Sequence, residues 1–229
     1  MSIPCIRGHH FDSSLLHSDS LIIDLGGHKG EFSSEVLEKF NCTAFIIEAM
    51  PDLYASIIQK PKLHTFHYAI SDSIGSIQFH VSDNPESNSI FSQSTTNAGT
   101  IVVPSITLEA FMNQQGIESV DLLKMDIEGA EIAVFDSLTD TMLGRFKQIT
   151  VEFHDFIPEL AIEDDVLRII NRLTSLHFHC IVFSRKTHFD VLFINAQHTN
   201  VLRILYIRCI KYIHGIQRII KRLFGIHSH

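Results

Sequence analysis

Nowhere in these 229 residues do two cysteines stand close together. Cys5, Cys42, Cys180 and Cys209 form no CxxC pair, which excludes a disulfide framework or a zinc site of ordinary spacing and leaves a reducing, cytosolic compartment as the expectation. Long apolar runs are missing as well: no stretch reaches the ~18 uninterrupted apolar residues of a spanning helix. The opening Met1-Ser2-Ile3-Pro4-Cys5-Ile6-Arg7 offers no apolar core for a signal peptide, so a soluble or peripheral protein is expected. Positive charge is scarce over most of the chain. Residues 1–198 hold all 26 acidic side chains against 12 of the 18 basic ones, a balance of −14. An acidic body repels a phosphate backbone, which sets nucleic acid aside as a partner. No internal repeat is visible, and 45% hydrophobic against 19% charged residues excludes a disordered chain.

What the sequence does contain is an alternation of short β-branched runs with amphipathic stretches. Leu21-Ile22-Ile23 reads as a strand, Phe32, Val36, Leu37 and Phe40 share one helical face, and Ala44–Ile47 reads as the next strand. A third strand is expected over Leu63–Ile70 and another over Ile77–Val81, followed by a long polar loop over 82–100. Helices are expected over Thr107–Gln115, Ala130–Leu138 and Ile162–Leu176, with strands at Val120–Met125, Gln148–Phe153, Phe178–Phe183 and Phe189–Ile194. The pattern implies an α/β domain over residues 21–198, with a mostly parallel sheet, helices on both faces and an antiparallel edge. Residues 1–20 read as a lead-in and 199–229 as an appended helix.

Ligands of such sheets bind beyond the C-terminal strand ends, at the switch point. There the first strand runs into Asp24-Leu25-Gly26-Gly27-His28-Lys29-Gly30, which is not the GxGxxG dinucleotide fingerprint because Asp24 replaces its first glycine. A carboxylate there would repel a pyrophosphate but suits the ammonium of a methionine moiety. Glu48, just after the second strand, can accept both hydroxyls of a ribose. An acid for an amino group, an acid for a ribose and no phosphate cradle describe S-adenosylmethionine better than NAD, and disfavour an oxidoreductase.

The segment Ile22 to Ser33 resembles the cofactor loop of FkbM-type methyltransferases. The likeness continues through Ile47-Glu48-Ala49-Met50-Pro51, Ala69-Ile70-Ser71-Asp72-Ser73-Ile74-Gly75 and, most strongly, Val120 to Glu131. It extends to Val151-Glu152-Phe153-His154 and Asp190 to Asn195. The resemblance implies a Rossmann-like class I methyltransferase fold and O-methylation of a sugar, glycan or polyketide hydroxyl. It implies cofactor contacts from Asp24, Gly26, Gly27, His28, Gly30, Glu48, Ser71, Asp72 and Asp126. In the loop this chain carries Gly27-His28 where the family usually has Ala-Asn, and Lys29 where it has an apolar residue. That departure keeps a second reading open, a non-catalytic adenosylmethionine-binding or scaffold protein.

Methylating a hydroxyl requires alignment and removal of its proton, because its pKa lies far above 7. The ends of the fourth and fifth strands supply the candidates, Lys124 to Glu128 and Glu152 to Asp155. His154 titrates in the right range and is the expected base, with Asp126 the alternative. Glu131 at a helix start is read as a dipole partner. No metal is assigned, although Asp126, Glu128, Glu152 and His154 are a set that could also hold a divalent cation.

The end of the chain reverses the charge. Residues 199–229 carry six Lys/Arg and no acid. Leu202, Leu205, Cys209, Ile213, Ile216, Ile220 and Leu223 recur at helical spacing, with Arg203, Lys211, Arg218, Lys221 and Arg222 opposite. The stripe either packs on the domain or a second copy, or lies on anionic lipid over 201–224. A chain ending near Gln197 is expected to keep its fold. A lipid-borne glycan as acceptor would connect the helix with the site.

Overall fold

The computed structural model describes residues 2–80 and 100–223, with side chains given through Tyr212 in the last helix. The chain opens on a hairpin of β1 (Cys5–Ile6) and β2 (His9–His10). Arg7 and Gly8 close it, both in the left-handed region at φ 49° and 88°, as a two-residue turn between twisted strands demands. Next come β3 (Leu21–Leu25), α1 (Glu31–Phe40), β4 (Thr43–Glu48), α2 (Pro51–Ser56), β5 (Leu63–His67), β6 (Ala69–Ile70) and β7 (Gly75–His80). The second half holds β8 (Thr100–Ile106), α3 (Leu108–Gln114), β9 (Leu122–Met125), α4 (Glu131–Ser137), α5 (Asp140–Leu143) and β10 (Gln148–Val151). It closes with α6 (Glu163–Ser175), β11 (Phe178–Val182), β12 (Val191–Asn195) and α7 (Val201–Leu223).

Seven strands form the main sheet in the order β11-β12-β10-β9-β3-β4-β5. All run parallel except β12, which is antiparallel to both neighbours. The reversed strand therefore sits one place in from the edge, with β11 outermost and antiparallel to it, the antiparallel edge pair that the sequence pattern implies. The result is a Rossmann-like α/β fold. Alternation sends Ile23, Leu25, Leu123 and Met125 to one face, where they pack with Phe111, Phe135 and Phe153. Ile22 and Leu122 face the other way, against Phe11, Phe32 and Val36. Each of these wholly buried side chains contributes about 1.5–3 kcal/mol, which is why the central strands tolerate so few polar residues. Asp24 and Lys124 are the exceptions, and the parallel register of β3 and β9 sets them side by side.

The expected third strand breaks at Tyr68. Leu63–His67 stays in the main sheet, while Ala69–Ile70 leaves it for a small sheet of order β6-β8-β7. The middle strand of that sheet, Thr100–Ile106, was absent from the pattern because Pro104 interrupts it. Proline is tolerated there since β6 pairs only with Ser105 and Ile106. Val81 and residues 82–99 of the expected loop lie outside the described residues.

Both the lead-in and the first half of α7 are built into the domain. Gln148 of β10 accepts the Asp12 amide at 2.8 Å and donates to its carbonyl at 3.1 Å, fastening the lead-in to the sheet. In α7, Ile204 and Ile207 are buried against Ile3, Ile181, Phe183, Leu192 and Ile194. The expected apolar stripe is thus rotated: Leu202, Leu205 and Cys209 face outward. Arg203, expected on the solvated side, bonds the buried Asp12 carboxylate through Nε at 2.8 Å. Ending the chain near Gln197 would uncover this cluster, so the fold does not end where the motifs do. Arg218, Lys221, Arg222 and the later stripe residues lie beyond the described side chains. Among the described residues no helix is long and apolar enough to cross a membrane.

Candidate active site

A cavity of about 180 Å³ opens at the C-terminal ends of β3, β4 and β9, where the crossover direction of the sheet switches. Gly26 and His28 form one side, Glu48 and Met50 another, and Asp126 and Glu128 a third. Tyr68, Ile70 and Phe79 make an apolar wall.

The glycine loop is fitted tightly to its neighbours. Gly26 adopts φ +72°, and a Cβ there would stand 1.7 Å from the Asp126 carbonyl oxygen. Only glycine allows that approach. At Gly27 a Cβ would meet Ile46 Cγ2 at 2.1 Å, so the Ile46 methyl takes up the room that a larger loop residue would need. Beneath the loop, the buried Lys124 ammonium donates to the Gly26 carbonyl at 2.7 Å and pairs with Asp24 at 3.2 Å and Asp126 at 3.5 Å. Burial would lower the Lys124 pKa, but these carboxylates more than offset it and raise it. Glu48 receives the His28 amide on one oxygen and the Met50 amide on the other, each at 2.7 Å. A carboxylate has about four acceptor sites, so two remain for a diol. Burial raises the Glu48 pKa against the pull of those two amides.

At the other end stands a cluster of acids and imidazoles. Asp126 lies 3.6 Å from His9 Nε2 and 3.8 Å from His154 Nε2. Burial would raise its pKa, but Lys124, then His9 and His154, hold it well below the carboxylate range. His154 is almost wholly buried, with Nδ1 3.0 Å from Glu131 and Nε2 3.4 Å from Glu128. Burial disfavours its charge, yet the two glutamates push it up to about 11. Both ring nitrogens face carboxylates, so His154 holds its protons as a donor to Glu128 and Glu131. That geometry does not suit the base expected from the sequence. Asp126, the alternative, is held ionised chiefly by Lys124 and is a weak proton acceptor. Glu152, at the end of β10, is pushed up to about 7 by burial and by Asp126.

A family profile described as "Methyltransferase FkbM domain" matches residues 24–180. The chain belongs to the FkbM methyltransferase family. S-adenosylmethionine is accordingly the cofactor, and methyl transfer the reaction class, of the matched domain. A curated relative, 2-O-methyltransferase NoeI of Sinorhizobium fredii, is 27% identical over 171 residues, covering 66% of this chain and 70% of its own length. AMB antimetabolite synthetase AmbE of Pseudomonas aeruginosa is 40% identical over 48 residues, 21% of this chain. The match spans just 2% of that synthetase. Among solved structures, a Methanococcus jannaschii fibrillarin pre-rRNA processing protein is similar over 78% of this chain and 67% of its own, at 12% identity and a TM-score of 0.45.

The residues of this FkbM domain fit that cofactor. The Gly26 cradle has no room for a Cβ, Glu48 keeps acceptor sites free, and the apolar wall suits a flat base. Of the residues expected to bind it, Gly26, His28, Glu48 and Asp126 line the cavity, while Gly27 and Gly30 shape the loop behind it. Three are placed elsewhere. Asp24 is sealed from solvent, spending its oxygens on Lys124 and on Ser33 Oγ at 2.7 Å, so it meets a lysine of the protein rather than a cofactor ammonium. Ser71 turns toward Asp72, and Asp72 lines a separate shallow pocket with Gly129 and Ile132. Ala69 and Ile70 still line the cavity, and Ser71 and Asp72 lie just past that wall.

Sequence reasoning passed over three residues of this site. Lys124 stood in plain view as a charge inside an apolar strand. Glu131, read as a helix-start acid, is wholly buried and accepts the amides of Ile127 and Gly129 as well as holding His154. His9 left no legible signal, because the hairpin that carries it is far from the motifs in sequence.

Proposed function

We propose that this chain transfers a methyl group from S-adenosylmethionine to a hydroxyl of a sugar or glycan, including one borne on a lipid. The observation that carries this reading is Glu128, whose carboxylate lines the acid end of the cavity while His154 holds it from behind at 3.4 Å. S-adenosylmethionine supplies an electrophilic methyl whose bonding electrons return to sulfur. The protein must orient the hydroxyl and accept its proton, and Glu128 is the exposed carboxylate at that wall. Glu128 sits just before α4 with a left-handed backbone, at φ 54°. His154 and Glu131 are positioning residues that act through it. Similarity to a 2-O-methyltransferase supports a hydroxyl as acceptor. The outward row of Leu202, Leu205 and Tyr206 on α7 supports an acceptor presented at a lipid surface.

The test is methyl transfer from labelled S-adenosylmethionine to a panel of free sugars, glycans and lipid-linked glycans. Glu128→Gln should lower turnover by roughly 10²- to 10⁴-fold, as loss of a positioned base does, with cofactor affinity unchanged. Cofactor binding with no transfer to any acceptor would instead favour a scaffold that kept the fold.

A further inference from the structure

The hairpin brings one residue to the site that methyl transfer, as described so far, leaves without work. His9 is 1% exposed, and among the described residues neither ring nitrogen has a hydrogen-bond partner. Its nearest acid, Asp126, stands at 3.6 Å, an ion-pair separation too long for a hydrogen bond. A buried imidazole normally satisfies both nitrogens. His9 is moreover held in place: Phe32 packs against the ring edge at 5.7 Å, and the neighbouring His10 is fixed to Asp190 at 2.5 Å.

The other side of this gap is acidic. One ligand atom each from His9, Asp126 and Glu152 lie within 4.8 Å of one another. Ions of the first transition row bind imidazole and carboxylate at about 2.0–2.2 Å, which sets neighbouring donors about 3.0–3.5 Å apart, close to the 3.6 Å between His9 Nε2 and Asp126. The three come from separate elements, β2 and the ends of β9 and β10, and converge beside the cavity wall formed by Asp126. One imidazole with two carboxylates favours Mn²⁺ or Fe²⁺ over Ca²⁺, which takes oxygen donors alone.

We propose that His9, Asp126 and Glu152 form a binding site for one divalent transition-metal ion at the acceptor end of the cavity. Its chemical role rests on the hydroxyl-methylation reading; the binding itself does not. As a Lewis acid toward the acceptor oxygen the ion lowers the hydroxyl pKa, and the released proton passes to the Glu128 carboxylate. The lead-in hairpin thereby becomes part of the reaction centre.

The experiment titrates Mn²⁺ into the chelator-stripped full chain, without cofactor or acceptor, followed by electron paramagnetic resonance of the free ion. One saturable site per chain is expected. His9→Ala and Glu152→Gln should each weaken it roughly 10- to 100-fold, with circular dichroism showing the fold retained. If His9→Ala fails to fold, His9→Asn takes its place. Cys5→Ser, which alters the separate Cys5, His10 and Asp190 group, should leave the affinity unchanged. Absence of a saturable site, or a site indifferent to His9 and Glu152 but lost in Cys5→Ser, overturns the proposal. Full methyl transfer after exhaustive chelation overturns the ion's role in the reaction while leaving the methyltransferase reading intact. Mn²⁺ bound through His9 and Glu152 with no transfer to any acceptor would uphold the site and defeat that reading instead.

Discussion

The Glu131 carboxylate, wholly buried, stands 3.0 Å from Nδ1 of His154, and the same oxygen accepts the amides of Ile127 and Gly129. One side chain thus fixes both the loop that carries Glu128 and the imidazole that holds it. Glu131→Ala removes a buried partner from a charged ring and from two amides. The expected loss is about 3–5 kcal/mol, read as a fall in the urea midpoint. A surface acid at a helix start would cost well under 1 kcal/mol, so a small effect would return Glu131 to that role.

Lys124 should be equally costly to remove. Lys124→Met leaves Asp24 and Asp126 facing each other without the ammonium between them, for an expected loss of about 3–5 kcal/mol. Adding Asp24→Asn should recover part of it, because the neutral amide needs no counter-ion. A double variant no more stable than the single one would show that Asp24 and Lys124 are not coupled.

Cofactor affinity should depend on the loop and on Glu48 in different ways. Gly26→Ala drives a Cβ into the Asp126 carbonyl oxygen in a left-handed backbone, so both thermal stability and adenosylmethionine binding should fall. Glu48→Ala adds no atom to the loop but frees the His28 amide as well as removing the diol acceptor, and should weaken calorimetric binding by roughly 1.5–3 kcal/mol. Unaltered affinity in Glu48→Ala would remove it from the ribose role.

The pair between Asp12 and Arg203 predicts a dependence on acid pH. Burial would raise the Asp12 pKa, but Arg203 and Ser14 bond the carboxylate and hold it below its ordinary value. A depressed folded pKa gives stability that is complete above the unfolded value of about 3.9 and is lost as pH falls below it. Arg203→Met should therefore cost roughly 1.5–3 kcal/mol near neutral pH and progressively less toward about pH 2–3. A melting-temperature deficit that stays constant down to acid pH would mean that Arg203 contributes through packing instead.

Much of this architecture could be read from local pattern. Strand and helix alternation yields the parallel sheet, because burial on both faces demands continuous apolar runs such as Leu21-Ile22-Ile23 and Ala44 to Ile47. The loop from Asp24 to Gly30 and the acid at Glu48 announce a cofactor end, since a close backbone approach needs glycine and a diol needs a carboxylate. Long-range placement was not legible. Whether Asp24 faces a ligand or a lysine depends on the register of β3 against β9, which pairs residues 100 apart. His9 joins Asp126 only through a hairpin docked on β10 and β12, and Ser71 and Asp72 lie just past the cavity wall that Ala69 and Ile70 still form. The partners of His154, read from sequence as the base, were hidden for the same reason: its protonation follows from two glutamates that share its surroundings only once the chain is folded. Sequence determined the elements and the chemistry available at their ends; packing decided which of those groups meet, and therefore which are charged.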